Sequence, residues 1–360
     1  MTGKAEALAR AAELRATFEA AGARAVETPV LQSADTLLDL YGEEIRARAY
    51  VTSDAMRGEQ MLRPDFTVPV VQMHMAGGAE PARYTYSGEV FRRQEHDPDR
   101  ASEYLQVGYE VFDRENPAAA DAEVFALLST VVAPLNLRAA TGDIGILMAA
   151  VKGLATTEAR KAALLRHIWR PRRFRNLLDR FAGRLTPSKE RTALLEGTAM
   201  ASTTPLVGRR TQAEIDARIE RLRDDASTAP LGDGEVDLLD ALMQVRETMP
   251  FALEHLRDLA VDMPSISQAV ARLLARAEAL DARGINVEEL PFEANFGRTS
   301  MEYYDGFVFG FFSAQRADWP AVATGGRYDA LTQRLGGGDA IPAVGGVLRP
   351  DLILKLEQGA

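Results

Sequence analysis

A chain of 360 residues with 46% hydrophobic and 26% charged positions can bury one large core or two modest ones. Its 42 basic and 52 acidic residues leave a net charge of −10, which disfavours a polyanionic partner such as tRNA unless basic residues cluster locally. Cysteine is absent and the four histidines (His74, His96, His167, His255) have no metal-ligand spacing, so disulfides and thiol catalysis are excluded and no metal is expected.

The N-terminus, M-T-G-K-A-E-A-L-A-R, has no apolar core of signal-peptide length, and no later run reaches membrane-span length; a cytoplasmic protein is expected. Leu8, Ala11, Leu14 and Phe18 recur at helical spacing, predicting an amphipathic helix over 4–21 that ends near Gly22. V-E-T-P-V-L over 26–31 predicts a short strand, and Pro29 places it at an edge or interface. A short helix follows over 34–41. Residues 61–70, M-L-R-P-D-F-T-V-P-V, read as a strand end, a polar turn and a helix through His74. Asp65 and Thr67 stand at that turn, either as caps or as ligand-binding groups.

Residues 83–113 carry the clearest signal. Two runs, R-Y-T-Y-S-G-E-V-F-R and E-Y-L-Q-V-G-Y-E-V-F-D, alternate with aromatic and β-branched residues around a polar loop, predicting a long hairpin. Arg92, Gln106 and Glu110 are its polar positions. Period-two alternation puts Gln106, Gly108 and Glu110 on one face, with Gly108 leaving floor space for a small ligand. The competing reading is an ordinary exposed face.

A helix is expected over 121–132, with Asp121 and Glu123 in its first turn and Pro134 ending it. Residues 135–148 follow as a strand and the start of a helix. From 151 to 283 helical spacing dominates and strand signals vanish. The start of this stretch is basic, from Arg160 to Arg175 with Trp169 and Phe174 interleaved: a solvated helix face, an RNA contact or a docking face for an acidic protein. Strands return after Gly284: 285–296, then 301–312, then 319–324, with a turn into a helix over 325–331. A Gly-rich loop at 336–338 precedes a strand and a helix opening at Pro350. The organisation is therefore a core of 1–150 and 284–360 interrupted by a mainly helical insertion, 151–283.

L-R-P-D-F-T, the F-R…Q-V-G-Y-E-V-F hairpin, M-E-Y-Y, G-G-R-Y-D-A-L and P-A-V-G occur in register over nearly the whole chain. Together they resemble the catalytic domain of the histidyl-tRNA synthetase family. The resemblance implies an α+β, class II synthetase-like fold, an antiparallel sheet flanked by helices. It also implies a homodimer built through the region around Pro29. By the same resemblance, Asp65, Thr67 and Gln106 would hold the α-ammonium of histidine and Arg92 its carboxylate. Glu110 and Tyr304, with Tyr303 beside them, would take the imidazole, and Gly325, Gly326, Arg327 and Tyr328 would form a wall.

Four departures point away from synthetase chemistry. An arginine expected four residues before Tyr303 is Thr299, and Arg298 beside it would face the other way. The arginine of the closing motif becomes Leu352. The acidic residue of the hairpin motif is Gln94, and a loop arginine aligns with Ser102. Adenylation relies on fixed cations to stabilise phosphoryl charge. Losing several at once should abolish the chemistry, and an intact amino-acid pocket beside a degenerate nucleotide site resembles the non-catalytic branch of the family, the regulatory subunits of ATP phosphoribosyltransferase. That resemblance implies no catalytic residues and no cofactor in this chain. It also implies a hetero-octamer with a short catalytic subunit, and histidine as effector of the first step of histidine biosynthesis.

Overall fold

The computed structural model describes residues 3–41, 45–94, 100–198, 211–298 and 303–359. The N-terminal strands are β1 (Arg24–Ala25), β2 (Leu31–Ser33), β3 (Val51–Asp54), β4 (Gly58–Leu62), β5 (Ala82–Phe91) and β6 (Glu103–Phe112). Then come β7 (Arg138–Asp143), β8 (Arg246–Thr248), β9 (Pro291–Glu293), β10 (Phe307–Phe312), β11 (Ala323–Arg327) and β12 (Ala343–Leu348). Nine of these form one sheet in the order β1-β5-β6-β12-β11-β10-β7-β9-β8, while β2, β4 and β3 make a separate small sheet. The central pairings are antiparallel; β1 with β5 and β7 with β9 are parallel.

The hairpin forms as its alternation predicts. β5 and β6 pair from Ala82↔Phe112 to Phe91↔Glu103. Cross-strand register then sorts residues onto two faces. Tyr86, Gly108, Glu110, Gly345 and Gly326 share one face, and Gly346, Val344 and Arg327 share the other. The second face receives the helix Pro117–Val132, whose Leu128 meets Gly346. Together with the turn that follows, Pro117–Leu135 is long and apolar enough to cross a membrane by length and composition. Here it is a core helix: Ala120, Val124, Phe125, Leu128 and Val132 are buried.

Several elements depart from expectation for identifiable reasons. In the first helix, Lys4–Ala20, Ala7 is buried and Leu8 exposed, a one-residue rotation of the apolar stripe. No single strand covers 26–31; β1 ends before it and β2 begins at Leu31, with Pro29 between them, its carbonyl accepting from Gln32 Nε2. Gly325 and Gly326 lie within β11 rather than at a turn. The helix expected from Asp121 begins at Pro117, capped by Asn116, so Asp121 falls in its second turn and faces inward.

That inward aspartate organises the far side of the sheet. Arg276, on the helix Ser267–Asp281, donates to Asp121 Oδ2 at 2.8 Å and to Asp143 Oδ2 at 2.9 Å. Arg327 donates to Asp121 Oδ1 at 2.7 Å and Asp329 Oδ1 at 2.9 Å. Arg276, Asp121 and Asp143 are all buried, so each charge is tolerated only with its partners in place. Between 151 and 283 the described residues are mainly helical, yet β8 rises from this stretch to close the edge of the sheet. Arg298 ties the same stretch to the core. It donates to the Ile168 carbonyl at 2.7 Å and Asn295 Oδ1 at 2.7 Å and lies 4.8 Å over Phe174. Part of the basic run is likewise internal: Arg160 is buried against Asp225, and Arg175 pairs with Asp179 and Asp240.

Arg276→Met should lower unfolding free energy by about 3–5 kcal/mol, because it strands Asp143 and half of Asp121 in the core. Urea denaturation measures this; a loss under about 1 kcal/mol would show that the pair is not needed.

Candidate functional site

Glu110 is the centre of the opposite face. It is 1% exposed. Thr67 donates to its Oε1 at 3.1 Å and Tyr86 to the same oxygen at 2.8 Å, while Tyr328 donates to Oε2 at 2.5 Å. A Cβ on Gly345 would collide with this carboxylate, so β12 must carry glycine there. Burial raises the Glu110 pKa to about 7, and the three hydroxyls oppose that rise. Burial, then the neighbouring carboxylate, pushes Tyr86 and Tyr328 well above the usual phenol range, so both stay protonated donors. A carboxylate has about four acceptor directions, so one on Oε2 remains for a ligand N–H.

The other predicted residues sort cleanly. Thr67 opens the helix Thr67–Met75, and its hydroxyl receives from Tyr303 at 3.3 Å. The single hydroxyl proton of Thr67 is thus committed to Glu110. Asp65 is buried, and its Oδ1 accepts from Val68 N at 3.4 Å. Gln106 is buried with Oε1 lacking a hydrogen-bond partner among the described residues. Tyr303 and Tyr304 pack at 4.8 Å and 67°. Arg92 donates from Nε to the Pro64 carbonyl at 2.7 Å, holding the strand that precedes Asp65.

Two expectations fail. Arg327 does not line this site: alternation sends it to the Asp121 face while Tyr328 reaches Glu110. Gly108 offers no ligand floor either, because the Tyr86 phenol lies where its side chain would be. Tyr86 itself was missed by sequence reasoning. The signal was available in the Tyr84–Tyr86–Gly88 alternation, once β5 and β6 are paired in register.

Next to this pocket is a cleft of about 420 Å³, between the hairpin end, the segment at 316–320 and the start of the helix Pro350–Glu357. Gln94 and Leu352, two of the departures from synthetase chemistry, line it; Thr299 lies outside the described residues. The cleft is nonetheless strongly cationic, bordered by Arg48, Arg92, Arg93 and Arg100 on the hairpin side. Arg316, Arg349 and Lys355 border it from the C-terminal elements. The expectation that this region had lost its cations is thus corrected: individual positions changed, while basic residues from other segments converge here. Arg298, held at the insertion, is not among them.

A family model described as histidyl-tRNA synthetase matches residues 3–353. ATP phosphoribosyltransferase regulatory subunits of Brucella ovis and Brucella abortus are each 34% identical over 358 residues, covering 92% of this chain and 93% and 92% of theirs. A Bacillus halodurans structure described as an ATP phosphoribosyltransferase regulatory subunit/histidyl-tRNA synthetase superposes with TM-score 0.68 at 21% identity, over 98% of this chain and 79% of that one. A Nostoc histidyl-tRNA synthetase gives 0.66 at 16% identity, over 99% and 73%. At such identities these structures establish the fold, the class II synthetase-like α+β architecture.

Because the folded state raises the Glu110 pKa from 4.5 to about 7, the folded chain binds the proton more tightly than the unfolded one. Stability from this group is full below about pH 4.5 and declines by about 3 kcal/mol as pH rises through 7. Glu110→Gln should remove that slope. Urea midpoints measured from pH 5 to 8 on both proteins check it, and parallel profiles would contradict the assignment.

Proposed function

Since the chain belongs to the histidyl-tRNA synthetase family, and within it to the ATP phosphoribosyltransferase regulatory subunits, we propose that it is the histidine-sensing, non-catalytic partner of a separate catalytic subunit. In this reading the complex performs the first step of histidine biosynthesis in the cytoplasm. The chain is required for its activity and transmits feedback inhibition. The expected assembly is a hetero-octamer containing homodimers of this chain.

The observation that carries the proposal is the buried, hydroxyl-bound Glu110, with Gln106 on the same face of β6 and its Oε1 without a partner among the described residues. In its ionised form a carboxylate so placed selects an N–H-bearing ring over an aliphatic side chain, because it then can only accept and is shielded from water. Tyr304, buried and kept protonated, supplies a second polar contact for the ring. Asp65 and Gln106 would take the ammonium, and Arg92 the carboxylate. Histidine bound here need favour one quaternary arrangement by only about 1–3 kcal/mol to inhibit usefully.

A second reading, a synthetase-like enzyme that activates an amino acid with ATP, draws on the cationic cleft. Against it stand Leu352, Gln94 and Ser102 at the synthetase positions. Histidine-dependent pyrophosphate exchange separates the two: none is expected, and clear exchange would favour the enzyme.

Co-expression with a short ATP phosphoribosyltransferase catalytic subunit should yield a complex whose activity depends on this chain. Calorimetry on the isolated chain should register histidine binding, weakened roughly tenfold or more by Glu110→Gln. Silence at millimolar histidine would refute the sensor.

A further inference from the structure

The helical stretch carries two surfaces that neither the sheet nor amino-acid sensing uses. The first is a groove of about 230 Å³ between the helices Glu158–Arg166, Pro171–Phe181 and Gln212–Ser227. Ala163, Phe181 and Leu222 give it apolar walls, and Arg180, Arg218 and Arg221 border it. Its one acid, Asp225, is already committed, pairing with buried Arg160 at 2.6 Å and with Arg191 at 3.7 Å. Among the described residues no carboxylate is left within ion-pair distance of Arg180, Arg218 or Arg221. Arg221 reaches only the Ala217 carbonyl of its own helix, at 3.1 Å. Partial burial lowers the Arg180 pKa, and the charges of Arg191 and Arg160 lower it further while Asp225 opposes them.

The second surface is the outer side of the helix Met249–Asp262. Met249, Ala252, Leu253 and Leu256 are buried on its inner side. Phe251, Glu254, Asp258 and Val261 recur at helical spacing on the opposite side, and all four are exposed. Phe251 is 63% and Val261 77% exposed. Glu254 and Asp258 have no ion-pair partner among the described residues. Exposed apolar residues scattered singly are ordinary; here two share one stripe with two unpaired acids between them.

The two surfaces are complementary. Glu254 and Asp258 stand about one helical turn apart, and so do Arg218 and Arg221. Helices laid side by side can therefore pair both acids with both guanidiniums, which also places Phe251 beside the apolar walls of the groove. From this match we propose that the groove docks a second copy of this chain, receiving the stripe Phe251, Glu254, Asp258 and Val261 against Phe181, Leu222, Arg218 and Arg221. The contact is distinct from the homodimer expected around Pro29, and it does not depend on the histidine reading. Because the two surfaces differ, it forms twice across a twofold axis or repeats head to tail.

Sedimentation velocity on the full chain tests this at about 50 μM protein, in about 50 and 500 mM salt. The wild-type chain should form a larger species in low salt and lose it in high salt, since the paired charges are exposed. Glu254→Lys with Asp258→Lys, and separately Arg218→Glu with Arg221→Glu, should each weaken that association by about tenfold or more. All four positions are exposed, so folding is retained. A chain carrying all four substitutions should associate again, because the charges have been exchanged rather than removed. Equal masses for the wild type and both double variants in low salt, or no recovery in the fourfold variant, overturns the contact. Loss of association in the arginine variant alone assigns the groove to a different acidic surface, and tRNA retardation abolished by that variant assigns it to nucleic acid; either result overturns the proposal.

Discussion

A carboxylate with almost no contact with water is the constraint on which the pocket depends. Glu110 can occupy the middle of a sheet face only because three hydroxyls reach it and because β12 has no side chain at Gly345. Each hydroxyl comes from a different place in the chain: the first residue of the helix Thr67–Met75, strand β5, and the residue directly after β11. Satisfying one buried acceptor therefore fixes the relative position of three segments far apart in the chain.

The two faces of the sheet are managed by opposite means. On the Glu110 face, neutral hydroxyls surround a buried carboxyl. On the helix face, full charges are matched against each other, with Arg276 and Arg327 converging on Asp121. Arg327 and Tyr328 are neighbours in sequence but belong to different networks. One short segment thus joins the helix Ser267–Asp281, through Asp121, to the hydroxyl network around Glu110. Contacts of this sort make a packed continuum between the helical stretch and the site.

The cleft beside the pocket shows how a fold can keep a region's electrostatics while its individual residues change. Leu352 and Gln94 line it where the synthetase pattern has an arginine and an acid. Arg48, Arg316 and Lys355 contribute charge from other elements. Counting motif positions one by one suggested depletion, because a motif records identity at an aligned site and not the field summed over a cavity.

Much was readable from the chain alone. Alternation over 83–113 established the hairpin and placed Gln106 and Glu110 on one face, since side-chain direction in a strand follows a period of two whatever surrounds it. Motif order established the family, and the turn at Asp65 and Thr67 followed from an apolar strand running into polar residues. Tertiary structure decided what depends on cross-strand neighbours and on distant segments. It filled the space over Gly108 with Tyr86, turned Arg327 toward Asp121, moved Asp121 from a helix start into the core, and gathered the cations of the cleft. The physical reason is common to all four: local periodicity fixes which way a side chain points, but only packing determines what waits there.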